Sequence, residues 1–199
     1  RERKALDLFR SILDADDPSR FASGIKLWFG EYYYSKSDFD KAIEYFRKVR
    51  EEFPGTGQAD SASYWLGWAL YDAKMPGESV EEFKRLIEER PKSEWTPKAV
   101  LALGDIYRRQ GRRDEAISEY ERLINRYPGS GITGLANIRI GNMLKEKGDF
   151  RMALEYFRTG LTGENTETNA QVQYDIAECY EVLGDTDRAI EEYLKVEYK

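Results

Sequence analysis

The sequence contains no histidine and one cysteine among its 199 residues. Histidine is the commonest general base in enzymes and the commonest protein ligand of zinc, so its absence removes the usual starting point for either chemistry. A single cysteine cannot form a disulfide within the chain or build a thiolate zinc site. We therefore look to non-catalytic functions first.

Long apolar runs and nucleotide-binding signatures are also missing. No stretch of about 18 apolar residues is present, so no transmembrane helix is predicted. The charged residues 1–4 do not resemble a secretory signal, and no G-x-x-x-x-G-K-[ST] motif occurs. Carboxylate pairs such as Glu81-Glu82 lie on amphipathic segments, which indicates solvated helix faces rather than acid/base pairs. We expect no enzyme activity, no catalytic residue, no cofactor and no metal site.

The acidic charge is concentrated at one end of the chain. The formal net charge is −6, and residues 164–199 alone contain ten acidic and three basic side chains. An acidic segment disfavours nucleic acid as the main partner, because affinity for nucleic acid comes largely from cations on phosphates. A basic partner surface or simple solvation are the remaining interpretations.

What the sequence does contain is a repeat of 37 residues. Glycines recur at this step, with alanine at the fifth position: Gly30, Gly67, Gly104, Gly141 and Ala177. Twelve residues after each comes a small residue: Ala42, Ser79, Ala116, Ala153 and Ala189. An aromatic follows four residues later: Phe46, Phe83, Tyr120, Phe157 and Tyr193. A fixed period of this length is typical of arrays of stacked structural units.

Each unit reads as two helices, as the segment 95–128 shows. Apolar residues recur every three to four positions before and after Gln110-Gly111, which predicts two amphipathic helices separated by a short turn. Helices joined by so short a turn are antiparallel. The small Gly104 and Ala116 are expected to let the two backbones approach closely. Pro76 is expected to take the place of the inner-turn glycine in the second unit.

These residues resemble the tetratricopeptide (TPR) repeat, whose marks are a Leu-Gly pair, a tyrosine, an inner glycine, an alanine, an aromatic and a proline. In the third unit they stand as Leu103-Gly104, Tyr107, Gly111, Ala116, Tyr120 and Pro128. The resemblance implies an all-α fold, a right-handed α-solenoid of antiparallel helix pairs. The longer period and the aromatic-Pro-Gly-Ser/Thr turns are similar to TPR tandems of bacterial envelope proteins, such as the outer-membrane assembly lipoprotein and the Tol–Pal-associated coordinator.

The repeat register predicts a single solenoid over residues 1–199. Residues 1–18 are expected to hold the second helix of an incomplete repeat. Five helix pairs are expected to follow, over 20–54, 57–91, 95–128, 131–164 and 168–199. Gly160 stands where a larger apolar residue is expected, which predicts a looser junction at 159–166. Cys179 takes the helical position of Ile106 and Met143 and is expected to be buried. Because residues 1–18 lack a partner helix and Leu194, Val196 and Tyr198 have none after them, we expect a fragment of a longer array.

The resemblance also implies where a partner would bind. The first helix of each pair lines the concave face of such a solenoid, at set positions around the glycine. The polar and aromatic residues at these positions are the candidate partner-binding residues: Glu31, Tyr34, Tyr64, Trp68, Tyr71, Asp105, Arg108, Asn142, Lys145, Tyr174, Glu178 and Glu181. Tyrosine, tryptophan and arginine are common anchors of protein interfaces. Packing against a neighbouring unit is the alternative for Trp68, and the favoured interpretation for Trp65.

One known ligand class of the family is not expected. Chaperone-binding TPR domains hold a C-terminal carboxylate with lysine and asparagine at two lining positions. Here the lysine position holds Leu27, Tyr64, Leu101, Ile138 and Tyr174, and Asn142 alone matches the other position. We instead expect a protein or peptide partner that lies in the groove as an extended segment or a helix.

Three functional interpretations remain open. The first is an interaction scaffold in a bacterial envelope assembly, located in the periplasm or at the outer membrane, with the cytoplasm as the alternative. The second is a targeting or regulatory arm of a larger enzyme. The third is a self-assembly module that associates through exposed solenoid ends. None of the three involves nucleic acid or direct insertion into a membrane.

Overall fold

The computed structural model describes residues 11–12, 21–161 and 166–197, and these residues form helices without a single strand. The helices are α1 Ala22–Ser35, α2 Phe39–Glu52, α3 Gly57–Asp72, α4 Pro76–Glu89, α5 Thr96–Arg109, α6 Arg113–Arg126, α7 Thr133–Lys147, α8 Phe150–Gly160, α9 Thr166–Val182 and α10 Thr186–Glu197. The prediction of an all-α fold is therefore confirmed. Within the described part of the chain, no helix is long and apolar enough to cross a membrane.

The helices form two compact units, residues 1–102 and residues 103–199. In the first unit, α1 packs on α2, α2 on α3 and α3 on α4, while α1 also contacts α3. In the second unit, α6 packs on α7, α7 on α8, α8 on α9 and α9 on α10. Within each unit, these helices thus pack on their neighbours in sequence, and the short turns make the two helices of a pair antiparallel.

The contact that repeats most regularly joins a glycine of one helix to an aromatic ring of the next. A Cβ atom added at Gly104 would lie 2.6 Å from the ring of Tyr120, and one at Gly67 would lie 2.5 Å from the ring of Phe83. Gly30 faces Phe46 and Gly141 faces Phe157 in the same way. All four rings are fully buried. The glycine therefore makes room for a ring, which corrects the expectation that it mainly lets two backbones approach.

The fifth repeat shows what happens without the glycine. Ala177 stands at its position, and the corresponding ring, Tyr193, is only partly buried. The Tyr193 ring lies against Tyr174, with 5.4 Å between centroids, and its hydroxyl donates to Glu181 at 3.0 Å. The methyl group of Ala177 occupies the space that the other four repeats give to a ring.

The inner turns of all five helix pairs have a left-handed residue at the same position. Gly111, Gly148 and Gly184 have φ values of 75°, 89° and 79°, and Ser37 and Lys74 have 59° and 65°. The left-handed region costs little for glycine but more for a residue with a Cβ atom. The expectation that Pro76 takes the glycine's place is wrong, because Pro76 is the first residue of α4 and Lys74 makes the turn.

Gly160 is buried in a tight contact rather than at a loose junction. A Cβ atom there would lie 2.8 Å from Cγ1 of Ile138 and 3.0 Å from the carbonyl oxygen of Gly134, so α8 approaches α7 closely. This corrects the expectation for Gly160, while residues 162–165 lie outside the described residues. The predicted helix at the start of the chain also lies outside them, apart from Ser11 and Ile12, which are helical. Cys179 is buried, as predicted.

Replacing Gly104 by alanine should destabilise the protein, since the methyl group would overlap the Tyr120 ring. We expect the free energy of unfolding to fall by about 1–3 kcal/mol, as in other overpacked cores. Gly77→Ala is the matched control, because Gly77 is also helical and a Cβ atom there meets nothing within 4 Å. Denaturant unfolding followed by circular dichroism measures both, and equal effects of the two substitutions would contradict the ring contact.

Lys74→Gly should stabilise the second repeat. A left-handed lysine costs roughly 1–2 kcal/mol, of which the greater backbone entropy of glycine cancels about half. The reverse substitution at the equivalent turn, Gly111→Lys, should destabilise by a comparable amount. Thermal unfolding of the two variants tests this, and a lower melting temperature for Lys74→Gly would show that the turn does not require the left-handed conformation.

Candidate partner-binding surface

The candidate residues lie on the odd-numbered helices, the first helix of each pair. Glu31 and Tyr34 are on α1, and α3 carries Tyr64, Trp68 and Tyr71. The remaining residues lie on α5 (Asp105, Arg108), α7 (Asn142, Lys145) and α9 (Tyr174, Glu178, Glu181). Spacings of three and four residues place the members of each set on one side of their helix. The glycine that each of these helices buries lies beside the candidate residues, within about 100° around the helix axis.

In the first unit, Tyr34 connects two neighbouring repeats. Its hydroxyl donates to Oδ2 of Asp72 at 2.6 Å, and its ring lies 5.6 Å from that of Trp65. Burial and the neighbouring Asp72 raise the pKa of Tyr34, so the phenol stays protonated and donates. Trp65 packs against the core formed around Phe46 and Leu66, in line with a packing role for this residue.

The rings on α3 are half-buried and combine packing with exposure. Tyr64 lies 5.9 Å edge-on from Phe83 and 5.2 Å from Trp95. Trp68 lies 5.7 Å edge-on from Phe83, and Tyr71 meets Trp68 at 6.0 Å. Packing and binding are therefore not exclusive for Trp68: the part in contact with Phe83 is fixed, and the remainder faces solvent.

Glu31 stands one repeat before Trp68 in the register and carries a negative charge on the same side of the first unit. It is exposed, and no cation of the described residues forms an ion pair with it. Partial burial of the carboxylate raises the pKa of Glu31. The charged form is thus partly desolvated, with no compensating cation among the described residues, which disfavours the folded state at neutral pH.

In the second unit, Asp105 is the centre of a polar cluster. It accepts a hydrogen bond from the Tyr120 hydroxyl at 2.7 Å, and its Oδ1 lies 3.2 Å from Nε of Arg139 and 3.7 Å from Nε of Arg108. Burial, followed by the interaction with Asp105, raises the pKa of Tyr120. Arg139 is absent from the predicted set, although it lies three residues before Asn142 and so on the same side of α7.

Lys145 connects α7 to α9 through two carboxylates. Its Nζ lies 2.7 Å from Oδ1 of Asp175 and also contacts Glu178. Burial lowers the pKa of Lys145, but the two carboxylates raise it more, so the net pKa lies above the usual value. Asp175 is buried and was not predicted; three residues before Glu178, it could have been found by helical spacing. Nearby, burial raises the pKa of the Cys179 thiol to about 11, which keeps it protonated.

Two open clefts adjoin these residues on the second unit, and Arg139 and Asn142 line both. The larger has a volume of about 640 Å³ and the smaller one of about 340 Å³. Of the predicted residues, Asn142 and Tyr174 line the larger cleft, and Arg108, Asn142 and Lys145 line the smaller. Glu181 instead accepts the hydrogen bond from Tyr193.

These surfaces offer groups that can bind a partner through hydrogen bonds, ion pairs and ring contacts. They present ring edges, guanidinium groups, an amide and carboxylates, most of which already form pairs within the protein. Across the described ranges, no three His, Cys, Asp or Glu residues are placed to hold a metal ion.

Comparison with family models gives matches over most of the chain. A model described as tetratricopeptide repeat matches residues 3–56, 27–94 and 138–199, and a second model with the same description matches residues 98–130. No sequence among the curated proteins matches this chain significantly.

Solved structures with the same fold are numerous. The crystal structure of MamA protein matches with a TM-score of 0.67 and 20% identity over 88% of this chain and 90% of that chain. The C-terminal part of a TPR repeat-containing protein from Cytophaga hutchinsonii matches with 0.66 and 16%, over 85% and 63%. A Podosopora anserina putative kinesin light chain with nearly identical TPR-like repeats matches with 0.64 and 16%, over 92% and 96%. The α-solenoid fold class is confirmed, and at these identities the similarity shows the fold alone.

Removing the charge of Glu31 should stabilise the folded state at neutral pH. A carboxyl group whose pKa is raised on folding opposes folding above its unfolded pKa of 4.5 and ceases to do so once it is protonated. We therefore expect Glu31→Gln to melt at a higher temperature than the wild type at pH 7, with the difference shrinking as the pH falls towards 4.5 and disappearing below it. A variant that melts lower at pH 7 would show that the carboxylate is paired.

Proposed function

The chain belongs to the tetratricopeptide repeat family, and from this membership we propose that it is a non-catalytic scaffold that binds a protein or peptide partner on the faces of its odd-numbered helices. A TPR fold implies a protein-interaction scaffold. The finer proposal, which residues contact the partner, is supported by the side chains that these helices leave partly exposed.

The observation that supports the proposal is that the positions predicted from the repeat register lie at open surface. In the second unit, the register positions Arg108, Asn142, Lys145 and Tyr174 line two adjoining clefts. In the first unit, the same register holds the half-buried rings on α3. Such rings bury large areas at little entropic cost, which is why they recur as interface anchors.

The shape of the clefts favours an elongated partner. Both are open, and each is lined by residues from different repeats: the larger by Asn142 of α7, Tyr174 of α9 and Val196 of α10, and the smaller by Arg108 of α5 and Lys145 of α7. An extended segment or an amphipathic helix can follow such a surface, whereas a small ligand would stay largely exposed. We propose a polypeptide partner on this ground.

The cellular setting is a separate proposal. A bacterial envelope assembly is inferred from the turns at 53–57 and 127–131, which resemble those of envelope TPR proteins. A targeting arm of a larger enzyme would use the same surface in the same way.

Self-association is a second candidate function, and one observation favours it. Ile190 of α10 is 52% exposed, whereas the equivalent residues Ile43, Val80 and Leu154 are each 7% exposed. Leu194, one turn later, is 48% exposed. An apolar patch of this kind fits a contact with another repeat, and the concentration dependence of the molecular mass would measure it.

Site-specific photo-crosslinking tests the proposed binding face. A benzoylphenylalanine placed at Tyr71 on α3 should crosslink to a protein partner in cells that make the full-length protein, and Trp68→Leu should reduce the adduct several-fold. The matched control is the same group at Glu81, an exposed position on the second helix of that repeat. Adducts at Glu81 but not at Tyr71 would place the partner on the other face and contradict the proposal.

A further inference from the structure

The cluster around Asp105 has one more cation than it has carboxylates. Arg108 and Arg139 both approach Oδ1 of Asp105, at 3.7 Å and 3.2 Å, and this carboxylate also accepts the Tyr120 hydroxyl. The Nε atoms of both arginines are shielded from solvent and donate no hydrogen bond within the described part of the protein. A single carboxylate thus serves two guanidinium groups and satisfies neither fully.

The acidic residues near this pair are already engaged elsewhere. Among the described residues, Glu146 lines the smaller cleft and Asp175 the larger. Glu146 pairs with Arg113 at 3.1 Å. Asp175 pairs with Lys145, which also holds Glu178. These carboxylates are therefore held by other cations, and among the described residues Asp105 is the carboxylate that both guanidinium groups contact.

The two guanidinium groups lie beside the smaller cleft. The smaller cleft is lined by Arg108, Arg139, Asn142 and Lys145, with Met143 and Phe150 as its apolar part. The side chains of Arg108 and Arg139 remain 37% and 40% exposed, so their terminal nitrogens are accessible although their Nε atoms are not. Two guanidinium groups and an amide at one cleft form a recognition site for a carboxylate.

We propose that Arg108 and Arg139, together with Asn142, bind the side-chain carboxylate of an aspartate or glutamate within an elongated segment of the partner. This inference rests on the proposed function, since it names the chemistry that the second unit recognises in its partner. The bound carboxylate accepts hydrogen bonds from the terminal nitrogens of the two guanidinium groups, which remain accessible from the cleft.

The position of the arginine pair favours an internal acidic residue over the end of a chain. Arg139 and Asn142 line both clefts, so a polypeptide bound at this point has open space on either side. A terminal carboxylate would leave one of the two clefts empty.

Arginine-detected NMR on the full chain tests this directly. The probe is N-acetyl-glutamate N-methylamide, a blocked glutamate, titrated while the Nε–Hε signals of the arginines are recorded. We expect saturable shifts of the Arg108 and Arg139 signals and only small changes at Arg188, an exposed arginine paired with Asp185. The blocked glutamine analogue should shift neither arginine of the pair.

Two variants and a second probe make the outcome decisive. Arg139→Gln should weaken binding of the blocked glutamate roughly tenfold, the usual loss for one charge-assisted contact, while Arg188→Gln, at an arginine that lines neither cleft, should leave it unchanged. N-acetyl-alanine, which offers a terminal carboxylate, should bind more weakly than the blocked glutamate. Equal binding of the glutamine analogue, tighter binding of N-acetyl-alanine, or no shift at either arginine would overturn the proposal.

The result is separable from that of the proposed function. Crosslinking at Tyr71 concerns the first unit and requires no acidic residue in the partner. If Arg139→Gln lowers the melting temperature, Arg139→Lys provides the comparison. Lysine keeps the positive charge but lacks the planar guanidinium group. A lysine variant that binds the blocked glutamate as tightly as the wild type would refute recognition by the arginine pair.

Discussion

The fit of an aromatic ring over a glycine is the contact on which the rest of this structure depends. In four of the five repeats the ring is fully buried and stands where a Cβ atom would have to be. The contact joins the first helix of a pair to the second and fixes both their separation and their rotation. Cores at this density tolerate neither an added methyl group nor its loss without cost. The fifth repeat is the exception: it has Ala177 in place of the glycine, and its ring, Tyr193, is partly exposed.

Fixing the glycine of a helix against a ring also fixes the direction of the side chains next to that glycine. On α3, burial of Gly67 against Phe83 turns Trp68 and Tyr71 toward the surface, where Trp68 still contacts the same phenylalanine. On α7, burial of Gly141 turns Asn142 and Lys145 toward the clefts. The position of the proposed binding face therefore follows from the packing contact, which is why candidate positions can be counted from the glycine.

Much of this could be predicted from the sequence, because the repeat places four kinds of residue in phase. The helix pairs and the burial of Cys179 follow from periodicity, and the positions that line the clefts follow from the resemblance to the TPR repeat. The polar contacts between repeats do not. That Arg139 reaches Asp105, or Lys145 reaches Asp175, depends on side-chain conformations and on residues some 30 positions apart. The left-handed conformation of Lys74 was not predicted either, because the sequence pattern favours glycine at such a turn position.

In the proposed function, the charge pattern of the second unit adds a basis for specificity that the repeat register alone does not contain. Lys145 holds two carboxylates while Asp105 serves two arginines, so opposite charges are separated along one surface. Such separation selects partners by charge as well as by shape. It also costs folding stability, as polar groups at binding sites commonly do.

A double-mutant cycle on Gly67 and Phe83 tests the central claim most directly. If the ring occupies the space over the glycine, Gly67→Ala should destabilise strongly in the wild-type background and much less when Phe83 is already leucine. The account predicts a coupling of about 1 kcal/mol or more between the two substitutions, measured by denaturant unfolding. Additive effects would contradict it, because they would mean that the ring and the glycine act independently.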